Sequence, residues 1–219
     1  MRPLPTRRFW LASLTAVALA GTLEACVPLM VGGAVMTGMV ATDRRTSGAQ
    51  LDDESIELRT GNRLLEAFGE RVHINVTSYN RQVLLTGEVG SAADRQLAEQ
   101  IASRVDNVRS VVNELAAMGT TSLSQRSSDS VITGRVRAAM LDVPDLSGSA
   151  FKVVTERGTV YLMGRVTQRE AERCTAVVRN VNGVQKVVRV FEYISEAELQ
   201  RLSNEQNAHG ASSTGTPRP

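Results

Sequence analysis

The same apolar residues recur at every second position in two places along the chain, while the residues between them vary. Val83-Leu84-Leu85-Thr86-Gly87-Glu88-Val89 returns as Val160-Tyr161-Leu162-Met163-Gly164-Arg165-Val166, with Val, Leu, Gly and Val at every second position of both. A period of two belongs to a β-strand, and the shared residues form the face that seeks burial. The Gly of each copy lacks a Cβ, which marks a bend or a close approach by another backbone or a helix. Upstream, Ile74 to Ser78 and Phe151 to Thr155 carry the same alternation, and the short links Tyr79 to Gln82 and Glu156 to Thr159 make each pair a hairpin. Downstream, Ala93, Leu97, Ile101 and Val105, and again Ala171, Cys174, Val178 and Val181, recur at helical spacing. One residue fewer separates Val166 from Val181 than separates Val89 from Val105, which predicts a slip of register inside the helix. Closing strands are predicted over Val108 to Leu115 and Val184 to Tyr193, and opening helices over Ile56 to Phe68 and Val131 to Leu141.

The pattern therefore describes an α+β fold: an αββαβ unit used twice in tandem, each unit a three-stranded mixed sheet with two helices on one face. A unit of roughly 65 to 70 residues is near the lower limit for an independent core, and two copies read as two small domains. The domains are placed at residues 51–118 and 128–195, joined by a polar linker at 119–127. Asp43 to Asp53 carries no apolar period and suits a linker, closing a segment at 26–50, and Asp52-Asp53-Glu54 is expected to supply acids to the start of the first helix. Glu196 to Leu202 extends the chain by a helical turn or two, and the remainder of 196–219 is small, polar and expected to be disordered.

The N-terminus reads differently. Arg2, Arg7 and Arg8 precede an apolar run from Phe9 to Ala20, then Leu23-Glu24-Ala25-Cys26, so residues 1–25 form a signal peptide too short for a membrane span. The last four residues resemble the bacterial lipobox, which implies lipidation, including palmitate, of Cys26 and an outer-membrane address facing the periplasm. Val27 to Ala41 is apolar and Gly-rich, suited to lying beside the anchor or to acting as a tether.

Removing the signal changes the charge picture. The whole chain has 25 basic and 23 acidic residues, but without residues 1–25 the two signs balance. The distribution is uneven: Leu51 to Ala116 holds seven Arg against eleven acids, whereas Ser124 to Ser195 holds eleven Lys and Arg against seven acids. Such asymmetry points one domain at an anionic surface, or the two domains at each other.

Candidate chemistry is sparse. His73 and His209 are the only histidines, and Cys174 sits alone on the apolar face of its helix. His73 reads as a solvated or capping residue and Cys174 as a small buried hydrophobe. No His or Cys pair has zinc-ligand spacing, so no metal, no cofactor and no enzymatic role is expected. Nucleic acid is not an expected partner, because no stacking platform accompanies the basic residues.

His73-Ile74-Asn75-Val76-Thr77-Ser78-Tyr79 with Val83-Leu84-Leu85-Thr86-Gly87, and Val153-Val154-Thr155-Glu156-Arg157-Gly158 with Val160 to Thr167, resemble the BON domain, a small αββαβ module of bacterial envelope proteins. The chain as a whole resembles the dual-BON outer-membrane lipoproteins associated with division and envelope stress, and Ala41-Thr42-Asp43-Arg44-Arg45 resembles their linker. The resemblance implies a non-enzymatic lipoprotein that binds anionic phospholipid through its second domain and supports envelope integrity. It places the contact on that domain's first helix, here Ser128 to Leu141. Val131, Arg135, Arg137 and Arg126 are the candidate contacts, together with Ile132, which also belongs to the helix's inward stripe. Val131 stands where the family carries a large aromatic. The alternative is a protein-interaction adaptor whose acidic first domain docks on an envelope assembly or division-site partner.

Overall fold

A computed structural model describes residues 43–144 and 146–212, with side chains to residue 205. Cys26, the signal segment and the apolar stretch at 27–41 lie outside the described residues. Helix α1 (Ser47–Phe68) starts at the Thr46 cap, whose hydroxyl accepts from the Ala49 amide at 3.1 Å, and stops at Gly69 with φ 61°. Its inward face is Ala49, Asp53, Ile56, Thr60, Leu64 and Phe68, a helical stripe. Strands β1 (His73–Tyr79) and β2 (Gln82–Val89) pair antiparallel. Helix α2 (Ala92–Ser103) crosses over to β3 (Ser110–Asn113) and the short β4 (Ala116–Ala117), both parallel to β2. The second domain repeats this as α3 (Leu123–Leu141), β5 (Phe151–Glu156), β6 (Thr159–Val166), α4 (Gln168–Arg179) and β7 (Lys186–Tyr193).

The predicted inner faces are the cores. Val83, Leu85 and Val89 pack with Ile56, Leu64, Phe68, Ala98 and Ala102, while Val160, Leu162 and Val166 pack with Ile132, Val136, Met140, Ala171 and Val178. Cys174 is fully buried among the latter, where desolvation pushes its thiol up to about 12. The glycines mark close backbone approach, as expected: a Cβ on Gly87 would lie 2.0 Å from the His73 carbonyl oxygen, and one on Gly164 2.5 Å from that of Ala150.

Four expectations change. The register slip is real, since Gln82 pairs with Ser110 but Thr159 with Lys186. It lies in the strand-to-helix turn, Gly90-Ser91 in one domain and Thr167 alone in the other, because α2 and α4 are both 12 residues long. Helices α1 and α3 begin earlier than their apolar periods, at Ser47 and Leu123, so the linkers are shorter and Asp52-Asp53-Glu54 sits in the second turn. The closing strand of the first domain breaks at Glu114-Leu115, where Asn113 Oδ1 accepts the Leu115 amide at 3.2 Å and Leu115 enters the core. Finally, helix α5 (Glu196–Ser212) continues well past Leu202; residues 213–219 are outside the described residues.

The outer faces of the two sheets meet. Tyr79, Leu84, Tyr161, Met163 and Val190 form a third buried cluster with Val112, Val154 and Val188 packed on it. The result is a four-layer stack, helices, sheet, sheet, helices.

Candidate functional site

Each hairpin turns through two residues with positive φ, Asn80 (50°) and Arg81 (64°) or Arg157 (49°) and Gly158 (71°). That is the turn whose twist suits adjoining strands. A buried carboxylate from the first helix holds each one. Asp53 accepts the amides of Asn80 and Arg81 and the Ser78 hydroxyl, each at 2.7 Å; Asp129 accepts the amides of Arg157 and Gly158, each at 2.8 Å. Burial alone would raise the Asp53 carboxyl, but the bonds from Ser78, Arg81, Arg45 and Asn80 outweigh it and hold it below the ordinary value. Asp129 thus belongs to the hairpin, and residue 128 lies inside α3 rather than at its start. A headgroup phosphate therefore finds no free helix N-terminus at Ser128.

The candidate lipid contacts are divided by the geometry of α3. Val131 is 53% exposed, and Arg135 is exposed beside it, its guanidinium 3.4 Å from the Asn182 carbonyl in the turn after α4. Arg137 follows two residues later, about 200° around the helix. It lines a different cleft of about 400 Å³ with Tyr79, Leu141 and Phe151. Half-buried Arg126 lines a third, near His73 and Glu156. Ile132 is only 7% exposed and packs in the core beneath Gly183, so its side chain faces away from any membrane. The structure brings together Val131 and Arg135, and separates them from Arg126 and Arg137.

Cations missed by the sequence reading lie near Arg135. Arg179 and Lys186 flank the turn that contains Asn182 and line one cleft with Val184, Gln185 and Val187. Among the described residues, Arg135, Arg137, Arg173, Arg179, Lys186 and Arg189 have no carboxylate partner. The first domain has such cations too, Arg63, Arg71, Arg95 and Arg104, but there acids outnumber bases: Arg81 pairs with Asp52 at 2.6 Å and Arg59 with Asp106 at 3.8 Å, while Arg109 crosses to Glu192 of the second domain at 2.8 Å.

The opposite charges of the domains are partly spent on each other. Lys152 meets Glu57 at 2.7 Å, Asn80 Nδ2 donates to Glu192 at 2.6 Å, and Arg157 pairs with fully buried Glu88. Thr121, from the linker, donates its amide and hydroxyl to Glu88 at 3.1 and 3.0 Å. Burial would raise the Glu88 carboxyl; Thr121, Arg157 and His73 together hold it low. The segment before α1 docks on the second domain: Arg44, 7% exposed, forms a bidentate pair with Glu170 at 2.6 and 2.8 Å. Arg45 lies 4.5 Å over the Tyr79 ring. His73 is not a solvated residue; it lies opposite Glu88 in the hairpin and contacts it at 3.1 Å.

Residues 52–118 and 128–195 each match the model of the BON domain. The chain is 36% identical over 177 residues to the outer membrane lipoprotein DolP of Haemophilus influenzae, covering 78% of this chain and 90% of that one. It is 33% identical over 154 residues to a 21 kDa hemolysin of Actinobacillus pleuropneumoniae, covering 69% and 79%. It is 27% identical over 144 residues to the osmotically-inducible protein Y of Escherichia coli, covering 64% and 72%. No helix among the described residues is long and apolar enough to cross a membrane.

Proposed function

The chain belongs to the family of BON-domain proteins, and on that footing we propose that it is a lipid-anchored outer-membrane lipoprotein that binds anionic phospholipid through its second domain. The anchor is Cys26, the role is non-enzymatic, and the consequence is support of the envelope barrier. The localisation and anchor draw on the DolP relative, named an outer membrane lipoprotein, and on the lipobox-like Leu23-Glu24-Ala25-Cys26. The observation that carries the lipid reading is the helical layer of the second domain, where basic side chains stand without carboxylates beside exposed Val131. Each such cation near an anionic surface contributes about 1 kcal/mol. An acyl chain supplies the rest of the attachment, so the domain has only to select among neighbouring lipids. The contact set consists of Val131, Arg135, Arg179 and Lys186, with Arg137 on the opposite flank. Flotation of the full chain with vesicles with and without phosphatidylglycerol tests this reading; equal binding to neutral vesicles overturns it.

A second reading, as an adaptor for an envelope protein, has one observation behind it. Leu51, Leu58 and Leu65 recur every seventh residue on α1 and are 65%, 69% and 59% exposed. The sheet faces are no longer available for such docking, since they are buried in the seam. A photo-crosslinker at Leu58 that captures one defined protein in cells, lost in Leu51→Asp, favours the adaptor.

A further inference from the structure

We propose that His73 and Glu156, backed by Glu88, form a site for a first-row divalent metal ion such as Zn²⁺ at the seam between the two domains. One donor atom from each of the three residues lies within 4.8 Å of the others. His73 and Glu88 face each other across the first hairpin, while Glu156 ends the first strand of the second domain. The site exists only when the domains are docked.

The surroundings give each residue a role. The His73 Nδ1 to Glu88 Oε2 contact of 3.1 Å puts the proton on Nδ1 and leaves the Nε2 lone pair pointing towards Asn75, whose Nδ2 lies 3.4 Å away. A carboxylate behind one ring nitrogen of a ligating His fixes its tautomer and raises the basicity of the other. Glu88 is itself held by Arg157 and Thr121, which makes it a positioning residue. Glu156 is 3% exposed, and among the described residues it has a single hydrogen bond, 3.0 Å from Asn75 Nδ2, and no ion-pair partner. A divalent ion supplies the charge that this carboxylate lacks, and a flip of the Asn75 amide offers its oxygen as a further donor. The group opens on a cleft of about 250 Å³ that His73, Asn75 and Glu156 line together, which leaves room for water ligands. Arg126 and Asp129 line the same cleft, but Asp129 is committed to the hairpin and Arg126 makes no ion pair with Glu156.

The fold does not itself demand this set. At the corresponding positions on the other end of the seam stand Ala150 for His73, Lys152 for Asn75, Arg165 for Glu88 and Tyr79 for Glu156, none able to ligate as a group. Yet that end packs as well, with Tyr79 Oη 3.4 Å from the Ala150 carbonyl.

The inference is independent of lipid binding, and so is its test. The full chain in detergent is stripped with EDTA and titrated calorimetrically with Zn²⁺, as wild type, His73→Ala, Glu156→Gln and His209→Ala. One ion per chain is expected, with affinity at least about tenfold weaker in the first two variants, since even outer residues of metal sites are worth that much, and unchanged in the third. A measurement on the wild type guards against misfolded variants: Co²⁺ is expected to broaden the amide NMR signals of His73, Asn75 and Glu156. Absence of binding at about 1 mM metal, retention in His73→Ala, loss only in His209→Ala, or broadening confined to the tail overturns the site.

Discussion

The two ends of the seam are built on the same backbone and carry different chemistry. At one, Glu88, Glu156 and His73 stand with Arg157, which pairs with Glu88, and with Arg126 in the same cleft; at the other, Arg45 lies over Tyr79 and Arg45, Lys152 and Arg165 each pair with a carboxylate, Asp53, Glu57 and Glu192. The second end, where Arg44, Arg45, Lys152 and Arg165 all have carboxylate partners, is filled by the docked segment before α1, with Arg44 and Arg165 each donating to the other's carbonyl at 2.9 and 3.1 Å. The acidic end receives only Thr121 from the interdomain linker. The inner faces of the strands must agree between copies because both bury against helices. The outer faces had only to fit each other, which left their polar chemistry free to diverge.

The largest expected effect breaks that pairing at the acidic end. Arg157→Ala leaves Glu88 fully buried without its cation and should cost about 3 kcal/mol, the low end for a broken buried pair because Thr121 and His73 remain. Asn80→Ala, the corresponding change at the other end, removes a neutral donor to Glu192 and should cost about 1 kcal/mol. Urea denaturation of both variants measures the contrast. Next come the two hairpin carboxylates. Asp53→Ala should cost about 2 to 3 kcal/mol and Asp129→Ala about 1 to 2 kcal/mol, because Asp53 also holds Ser78 and Arg45.

Acid should expose the same difference. The Asp53 carboxyl titrates lower in the folded chain than in the unfolded one. Its contribution is therefore whole above the ordinary Asp value of about 3.9 and fades as pH falls through the folded value. The stability gap between wild type and Asp53→Asn, followed by denaturation midpoints, should narrow on acidification below about pH 4.

Smaller effects concern the helical layers. Arg135→Ala should weaken binding to phosphatidylglycerol vesicles about fivefold, the worth of about 1 kcal/mol, whereas Arg59→Ala on the first domain should leave it unchanged. Val131→Trp, which restores an aromatic at the expected interfacial position, should strengthen it roughly threefold through added apolar contact. Both are read by flotation at fixed salt.

Much of this architecture was legible before any coordinates. The inner strand faces, the hairpins and the two close-approach glycines follow from a period of two and a missing Cβ. Helix starts did not, because the first turns of α1 and α3 are mostly polar and are set by the Thr46 and Ser122 caps rather than marked by an apolar stripe. The division of Arg135 from Arg137 could have been read from helical geometry alone, since two residues turn about 200°. So could the pairing of His73 with Glu88, given a two-residue turn between Tyr79 and Gln82. Glu156 could not, because its approach depends on how the domains dock, and no local pattern encodes that. The unpaired state of Arg179 and Lys186 was hidden for the same reason: it depends on where the acids are not.

The four-layer stack has a further consequence for a chain whose charges nearly cancel. With about 10 Å between stacked sheets and helices about 10 Å across, the acidic helical layer stands roughly 30 Å from the basic one. Physiological salt screens charge over about 8 Å. A bilayer touching the basic side is thus electrically blind to the acidic side, and a neutral molecule acquires a preferred way up.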